Sequence, residues 1–211
     1  MNKNFAEFEY WNREYSNNKF NNSWYEYFYT IPFGLTREDY WNKKILDIGC
    51  GPMGSLEWVA DKAKCFGIDP LSNIYYNSFD CKNHSMSYIC GSSEKIPFPN
   101  CYFDYITSIN SLDHVDDVEK SILEIDRVLD YNGRFLLIVE INHKPTVCEP
   151  QLITQEITNF IIDRIKLECE MIKLYGLEHK DNIFKNIKEN ILSDNNPKIL
   201  LAMFKKSHID K

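Results

Sequence analysis

Short apolar runs alternate with stretches of helical period along most of the chain, and the alternation becomes regular from residue 45. "KILDIG" (44–49) and "KCFGID" (64–69) are compact apolar runs that suit buried strands. Between them "GSLEWVADKA" (54–63) reads as a helix, and "LSNIYYNSFDC" (71–81) as a second. "SYICG" (87–91) and "YFDYITSIN" (102–110) are the next strands. In "VDDVEKSILEIDRVLD" (115–130), Val118, Ile122, Ile125, Val128 and Leu129 recur at helical spacing, and "GRFLLIVEI" (133–141) is apolar enough for a central strand. Strand and helix in turn predict right-handed β-α-β units: an α/β open sheet with helices on both faces. Further on, "LITQEITNFI" (152–161) and "NIFKNIKENI" (182–191) suit helices. "RIKLECEMIK" (164–173) alternates like a half-wet strand, and "PKILLAMFKK" (197–206) closes the pattern as a strand.

Residues 1–44 break this rhythm. They hold 14 of the 30 aromatic residues, an apolar area that has to be covered. We read them as one or two helices forming a cap on a main domain spanning 45–211. A length of 211 residues suits one domain with a sizeable core plus such an appendage.

Composition narrows the function. A net charge of −7 argues against a long nucleic acid as partner. No apolar run approaches the ~20 residues of a membrane helix, and the opening "MNKNFAEFEYWNREY" lacks the apolar stretch of a signal peptide. Seven cysteines, odd in number and never spaced C-x-x-C, argue against a zinc site or a disulfide framework. The expectation is a cytoplasmic protein without a metal.

The chemistry starts at "ILDIGCGPMGSL" (45–56). Gly49, Gly51 and Gly54 follow a strand and precede an expected helix, a loop that presents backbone N–H groups to a ligand. Asp69 ends the second strand 18 residues after Gly51, where an acid can accept from both hydroxyls of a ribose. This pair fits an adenosine-containing cofactor without separating NAD from S-adenosylmethionine. Asp47, two residues before the first glycine, disfavours a pyrophosphate and favours an ammonium. The Tyr-x-x-x-Lys of a short-chain dehydrogenase occurs only ahead of the loop, at Tyr15–Lys19 and Tyr40–Lys44. An NAD-dependent oxidoreductase is thus the weaker reading.

Four words, "ILDIGCGPMGSL", "GIDP", "CGSSEKIPFPNCYFDYITSINSLDHVDD" and "ILEIDRVLDYNGRFLLIVE", resemble in order and spacing the class I S-adenosylmethionine-dependent methyltransferases of the Methyltransf 11 type. They cover about residues 45–141. The resemblance implies a three-layer Rossmann-like sheet of seven strands with the last antiparallel, and S-adenosyl-L-methionine as cofactor, leaving S-adenosyl-L-homocysteine.

What the resemblance implies for single residues can be set out along the chain. The "DIGCG" loop (Asp47, Gly49, Cys50, Gly51) would wrap the methionine part, with Asp47 favouring its ammonium. Asp69 would take the ribose, with Pro70 and Leu71 along one side of the adenine. Gly91, Ser92, Ser93, Glu94 and Ile96 occupy the adenine-binding word, where Ser92 stands in place of the family's aspartate. Asn110, Ser111 and His114 would lie near the methionine end. His114 and His143 are candidate general bases. Asp113 could fix the tautomer of His114 or cap the next helix, while Asp116 and Asp117 read as dipole partners in its first turn. Tyr10, Trp11 and Tyr15 are expected over the cofactor as a lid. The acceptor is expected to be a small polar molecule, a sugar or surface-glycan precursor, methylated on oxygen. That expectation rests on the polar loop "INHKPTVCEP" (141–150) and on analogy between folds. A regulatory protein that binds the cofactor without turnover is the alternative.

Overall fold

A computed structural model describes residues 2–17, 20–179, 182–192 and 197–207. Lys19 and the two chain ends therefore lie outside the described residues. Seven strands form one sheet: β1 (Lys44–Ile48), β2 (Lys64–Asp69), β3 (Ser87–Cys90), β4 (Phe103–Ile109), β5 (Leu129–Ile141), β6 (Glu168–Gly176) and β7 (Lys198–Lys205). Their order is β3-β2-β1-β4-β5-β7-β6. The first five run parallel, and β7 is antiparallel to both β5 and β6. The last strand is antiparallel, as the resemblance implies.

Alternation along the strands sorts the core onto both faces. Ile45, Leu136, Ile138, Leu201 and Met203 face one layer. Leu46, Ile48, Phe135, Leu137, Val139, Leu200 and Phe204 face the other. Helix α4 (Val118–Val128) covers the second face through Ile122, Ile125 and Val128. It begins at Val118, so Asp116 and Asp117 lie just ahead of its first turn rather than in it. Asp117 is its N-cap, with its carboxylate accepting from Lys120 N at 3.0 Å.

The aromatic segment divides. Helix α1 (Lys3–Ser16) has no fully buried residue. Helix α2 (Tyr25–Tyr29) and the turns after it are core: Phe28, Tyr29, Phe33 and Tyr40 are buried with Ile45 and Leu136. Phe8, Trp11, Tyr15 and Phe20 pack instead on a small cluster of Leu71, Tyr75, Phe79 and Cys81 around helix α3 (Ser72–Ser78). The remaining helical pieces are short: α5 (Glu156–Asn159), which widens into a π turn over Phe160–Ile165, and α6 (Ile183–Lys188).

One expected helix is absent. Residues 51–62 run as successive turns, with Glu57 N bonding Gly54 O and Val59 N bonding Leu56 O. Left-handed Gly51 and Gly54 (φ +55° and +74°) flank Pro52 and interrupt a helical start. The segment still buries Leu56 and Val59 on the sheet. All seven cysteines are free. Among the described residues no helix is long and apolar enough to cross a membrane.

Gly49 illustrates how tightly the loops above the sheet meet. Its φ is +66°, and a Cβ there would collide with the side chain of Ser111. Gly49→Ala is expected to cost about 2–4 kcal/mol through the left-handed backbone and the overlap. Chemical denaturation of the variant checks this, and a loss under about 0.5 kcal/mol would contradict it.

Candidate active site

The strand order reverses between β1 and β4, where an open α/β sheet leaves a crevice beyond its carboxyl ends. Asp47, Asp69, Asn110 and Glu140 mark the ends of β1, β2, β4 and β5 at this crevice.

Asp69 is held by two backbone N–H groups at the end of β2. Its Oδ1 accepts from Leu71 N (2.8 Å) and its Oδ2 from Gly51 N (3.2 Å). Each oxygen keeps one acceptor position, enough for two hydroxyls. Burial raises its carboxyl to about 6, against the pull of those two N–H groups. Beside it in α3, Ser72 Oγ and Tyr75 OH are buried without a hydrogen-bond partner among the described residues. Orphaned polar atoms next to a pre-set acid suit a polar, hydroxyl-bearing ligand.

Asp47 is placed differently from expectation. It is 2% exposed, and three hydroxyls hold it: Ser55 Oγ (2.5 Å) and Tyr29 OH (2.9 Å) on Oδ2, Thr107 Oγ1 (2.6 Å) on Oδ1. Its carboxylate thus anchors the glycine loop from within. Burial lifts its pKa to about 6, and the three hydroxyls hold it from rising further.

Ser111 also works as a strut: its Oγ donates to Ile48 O (2.6 Å) and lies 2.8 Å from Ser108 Oγ. Cys50 packs its sulfur against Gly67. Ser93 exchanges a hydrogen bond with Ser121 (2.8 Å). Glu94 accepts from Asp116 N and Asp117 N (2.8 and 3.1 Å), which ties the "GSSEKIPF" loop to the start of α4. Ile96 and Leu71 are buried, whereas Pro70 is exposed and Gly91 and Ser92 are half-buried. Asn110 takes a left-handed conformation (φ +58°) and bonds Ile138 O through its N–H at 2.7 Å.

Of the three aromatics expected over the cofactor, Trp11 lies at the glycine loop, 3.0 Å from where a Cβ of Gly51 would stand. Tyr10 is 44% exposed and meets Trp11 edge-on. Tyr15 turns to Phe20 and Phe79, and its hydroxyl donates to Asp80 at 3.2 Å.

Both candidate bases join one charged cluster around Asp113, which is 1% exposed. His143 Nε2 is 3.4 Å from Asp113 Oδ2, and its Nδ1 lies 3.0 Å from the carbonyl of Lys144. Both ring nitrogens face acceptors, although Nε2 makes no hydrogen bond among the described residues. Asp113 foremost raises its pKa to about 9. Like His114 Nε2, His143 Nε2 is buried without a hydrogen-bond partner among the described residues. His114 Nδ1 is 3.3 Å from Glu7 Oε2, while its Nε2 is buried, 3.9 Å from Asp113 Oδ1 and 4.0 Å from Glu149 Oε1. Burial works to lower its pKa, but Glu7, Asp113 and Glu149 together raise it to about 9. Ligand-type atoms of Asp113, His114 and Glu149 lie within 4.8 Å of one another, a grouping that ion pairing with the two imidazoles accounts for. Glu7, Tyr29 and Tyr75 were not foreseen at the site. For Glu7 a signal existed, since Lys3, Glu7, Trp11 and Tyr15 recur every four residues.

With this geometry in place, comparison with known proteins shows what the chain is similar to. The family model of a methyltransferase domain matches residues 46–137. This match covers a little under half of the chain. YcgJ, an uncharacterized methyltransferase of Bacillus subtilis, is 33% identical over 100 residues, 45% of this chain and 40% of that protein. A probable chloroplastic tocopherol O-methyltransferase of Oryza sativa subsp. japonica is 29% identical over 103 residues, 46% of this chain and 28% of its own length. A ubiquinone/menaquinone biosynthesis C-methyltransferase, UbiE, of Rickettsia typhi is 29% identical over 109 residues, 46% of this chain and 44% of that protein. The matches thus span less than half of these relatives' lengths. The crystal structure of YcgJ superposes with a TM-score of 0.63 at 18% identity, over 85% of this chain and 99% of that one. The fold is that of the S-adenosylmethionine-dependent methyltransferases.

The Asp47 anchor of the glycine loop has a pH signature. Its folded pKa of about 6 lies above the ordinary 3.8, so the folded state holds the proton more tightly. Its contribution is full below pH ~4 and is lost as pH rises through about 6, some 3 kcal/mol in all, about 1.4 per pKa unit. In Asp47→Asn that loss should vanish. Urea denaturation between pH 4 and 8 checks it, and parallel stability curves for the two proteins would contradict it.

Proposed function

We propose that this chain transfers a methyl group from S-adenosylmethionine to a small polar acceptor, on oxygen, with a sugar or glycan precursor as the acceptor class. The observation that carries the reading is Asp69, preset by Gly51 and Leu71 with two acceptor positions spare, facing His114 across the switch point. Asp69 would take the ribose hydroxyls, with the orphaned Ser72 and Tyr75 hydroxyls beside them. The Gly49–Gly51 backbone would pass along the methionine part, under Trp11. Leu71, Gly91, Ser92 and Ile96 would form the adenine side. When bound, the cofactor supplies a methyl group on a sulfonium, an electrophile that needs alignment and dryness more than activation. Trp11 and the aromatic cluster beneath α1 provide the dryness.

The acceptor would lie against His114, where the loops after β4 and β5 meet. His114 Nε2 takes the hydroxyl proton as the acceptor oxygen bonds the methyl carbon, while the C–S electron pair stays on sulfur. A hydroxyl acceptor suits the polar cluster of Asp113, His114 and Glu149, and one relative is named for O-methylation. A compartment that keeps its seven thiols reduced suits such a protein.

Two measurements test the reading. In calorimetric titration, S-adenosylmethionine and S-adenosylhomocysteine should bind and NADH should not, and Asp69→Ala should weaken both by at least about 100-fold, two lost hydroxyl contacts. Binding of NADH alone, or of none, would overturn the cofactor assignment. Second, His114 acts when neutral, and its pKa stands near 9. Acceptor-limited kcat/KM should therefore climb with pH up to about 9 and lose this slope in His114→Asn. A flat profile in the unmodified chain would remove His114 as base.

A further inference from the structure

Helix α1 carries Lys3, Glu7, Trp11 and Tyr15 at four-residue spacing, one stripe along one face. Although no residue of α1 is fully buried, this stripe makes directed contacts with the rest of the protein. Lys3 Nζ donates to the carbonyl of His114 at 2.8 Å and pairs with Asp116. Trp11 rests its ring on Gly51 and donates its indole N–H to Glu7 Oε1 at 2.9 Å. The other oxygen of Glu7 faces His114 Nδ1 at 3.3 Å. A continuous line thus runs from the glycine loop through Trp11 and Glu7 to the imidazole.

We propose that Glu7 is a positioning residue for His114, so that the helix covering the glycine loop also completes the proton-accepting group. A neutral imidazole has one N–H and one lone pair, and whichever nitrogen meets an obligate acceptor keeps the proton. The Glu7 carboxylate is such an acceptor, so Nδ1 carries the proton and Nε2 presents its lone pair. Nε2 has no hydrogen-bond partner among the described residues. Asp113 Oδ1 and Glu149 Oε1, at 3.9 and 4.0 Å, stand beyond hydrogen-bond reach. Nε2 is itself buried, so a hydroxyl donor reaches it only when the groups around it give way, and it then finds the lone pair free. The groups facing His114 come from four elements: Glu7 and Lys3 from α1, Asp113 and Asp116 from its own loop, Glu149 from the loop after β5, and Asp69 from the end of β2. Of these, Glu7 alone is within 3.5 Å of a ring nitrogen, and it is the one carried by the covering helix.

The inference rests on the methyl-transfer reading only for what His114 does in turnover; the orientation of the ring is a separate observable. The test compares the full chain with Glu7→Ala, Glu7→Gln and Glu7→Asp. Nitrogen-15 spectra of labelled histidine are recorded at a pH where the ring is neutral, alongside steady-state kinetics. His114 should show a protonated Nδ1 in the unmodified chain and in Glu7→Asp, and mixed tautomers in Glu7→Ala and Glu7→Gln. The value of kcat should fall at least about tenfold in Glu7→Ala and recover in part in Glu7→Asp, while the melting temperature holds. An unchanged His114 spectrum in Glu7→Ala, or an unchanged kcat, overturns the proposal. If the unmodified chain transfers no methyl group to any acceptor, the methyl-transfer reading has failed. The spectra then decide the role of Glu7 by themselves: loss of the Nδ1 form in Glu7→Ala supports it, and its persistence refutes it.

Discussion

A single buried carboxylate organises the upper half of this molecule. Asp47 accepts hydroxyls from three separate parts of the chain: Tyr29 from the aromatic N-terminal segment, Ser55 from the turns after the glycine loop, and Thr107 from the neighbouring strand β4. Burying it costs enough to lift its pKa to about 6, and only the simultaneous presence of all three donors makes the burial tolerable. The geometry of the glycine loop therefore depends on the N-terminal segment being docked. That explains why α2 is part of the core while α1 lies on top: Tyr29 has to reach the end of β1, and its ring must be buried to do so.

The consequences run outward from this anchor. With Asp47 fixed, Gly49 can turn left-handed against Ser111, and Gly51 can offer its N–H to Asp69. The first contact joins the β1 and β4 loops and the second joins β1 to β2, so the three strand ends at the switch point form one rigid rim. The more polar half of the site lies beyond this rim, where Asp113, His143, His114 and Glu149 pair among themselves. Rigid and charged parts are thus separated. The rim suits a cofactor that must be aligned, and the cluster suits an acceptor that must lose a proton.

Much of this was legible in the residues. The strands read from apolar runs fall where expected: β1, β4, β7 and the second half of β5 are buried on both faces and tolerate little else, while edge strand β3 has no fully buried residue. The placement of Asp69 was legible because it needs only a strand end and a set distance from the loop. The helix expected at 54–63 was not found, because apolar spacing at Leu56 and Val59 suits turns as well as a helix, and two left-handed glycines decide between them locally. The role of Asp47 was hidden for a different reason. Its partners lie 18, 8 and 60 residues away, and no local pattern marks a hydroxyl that will be brought in by tertiary folding. Glu7 stands between these cases: its stripe is visible in the sequence, but the surface it faces is not.

The central claim is that the crevice above β1, β2 and β4 holds the cofactor's ribose on Asp69 with Trp11 closing over the glycine loop. A crystal structure of the full chain with S-adenosylhomocysteine tests this most directly. The account predicts both ribose hydroxyls on the Asp69 carboxylate, the Asp47 carboxylate still bound to Tyr29, Ser55 and Thr107, and α1 in place above the ligand. A ribose held elsewhere, or an Asp47 that leaves its three hydroxyls to meet the ligand's ammonium, would contradict it.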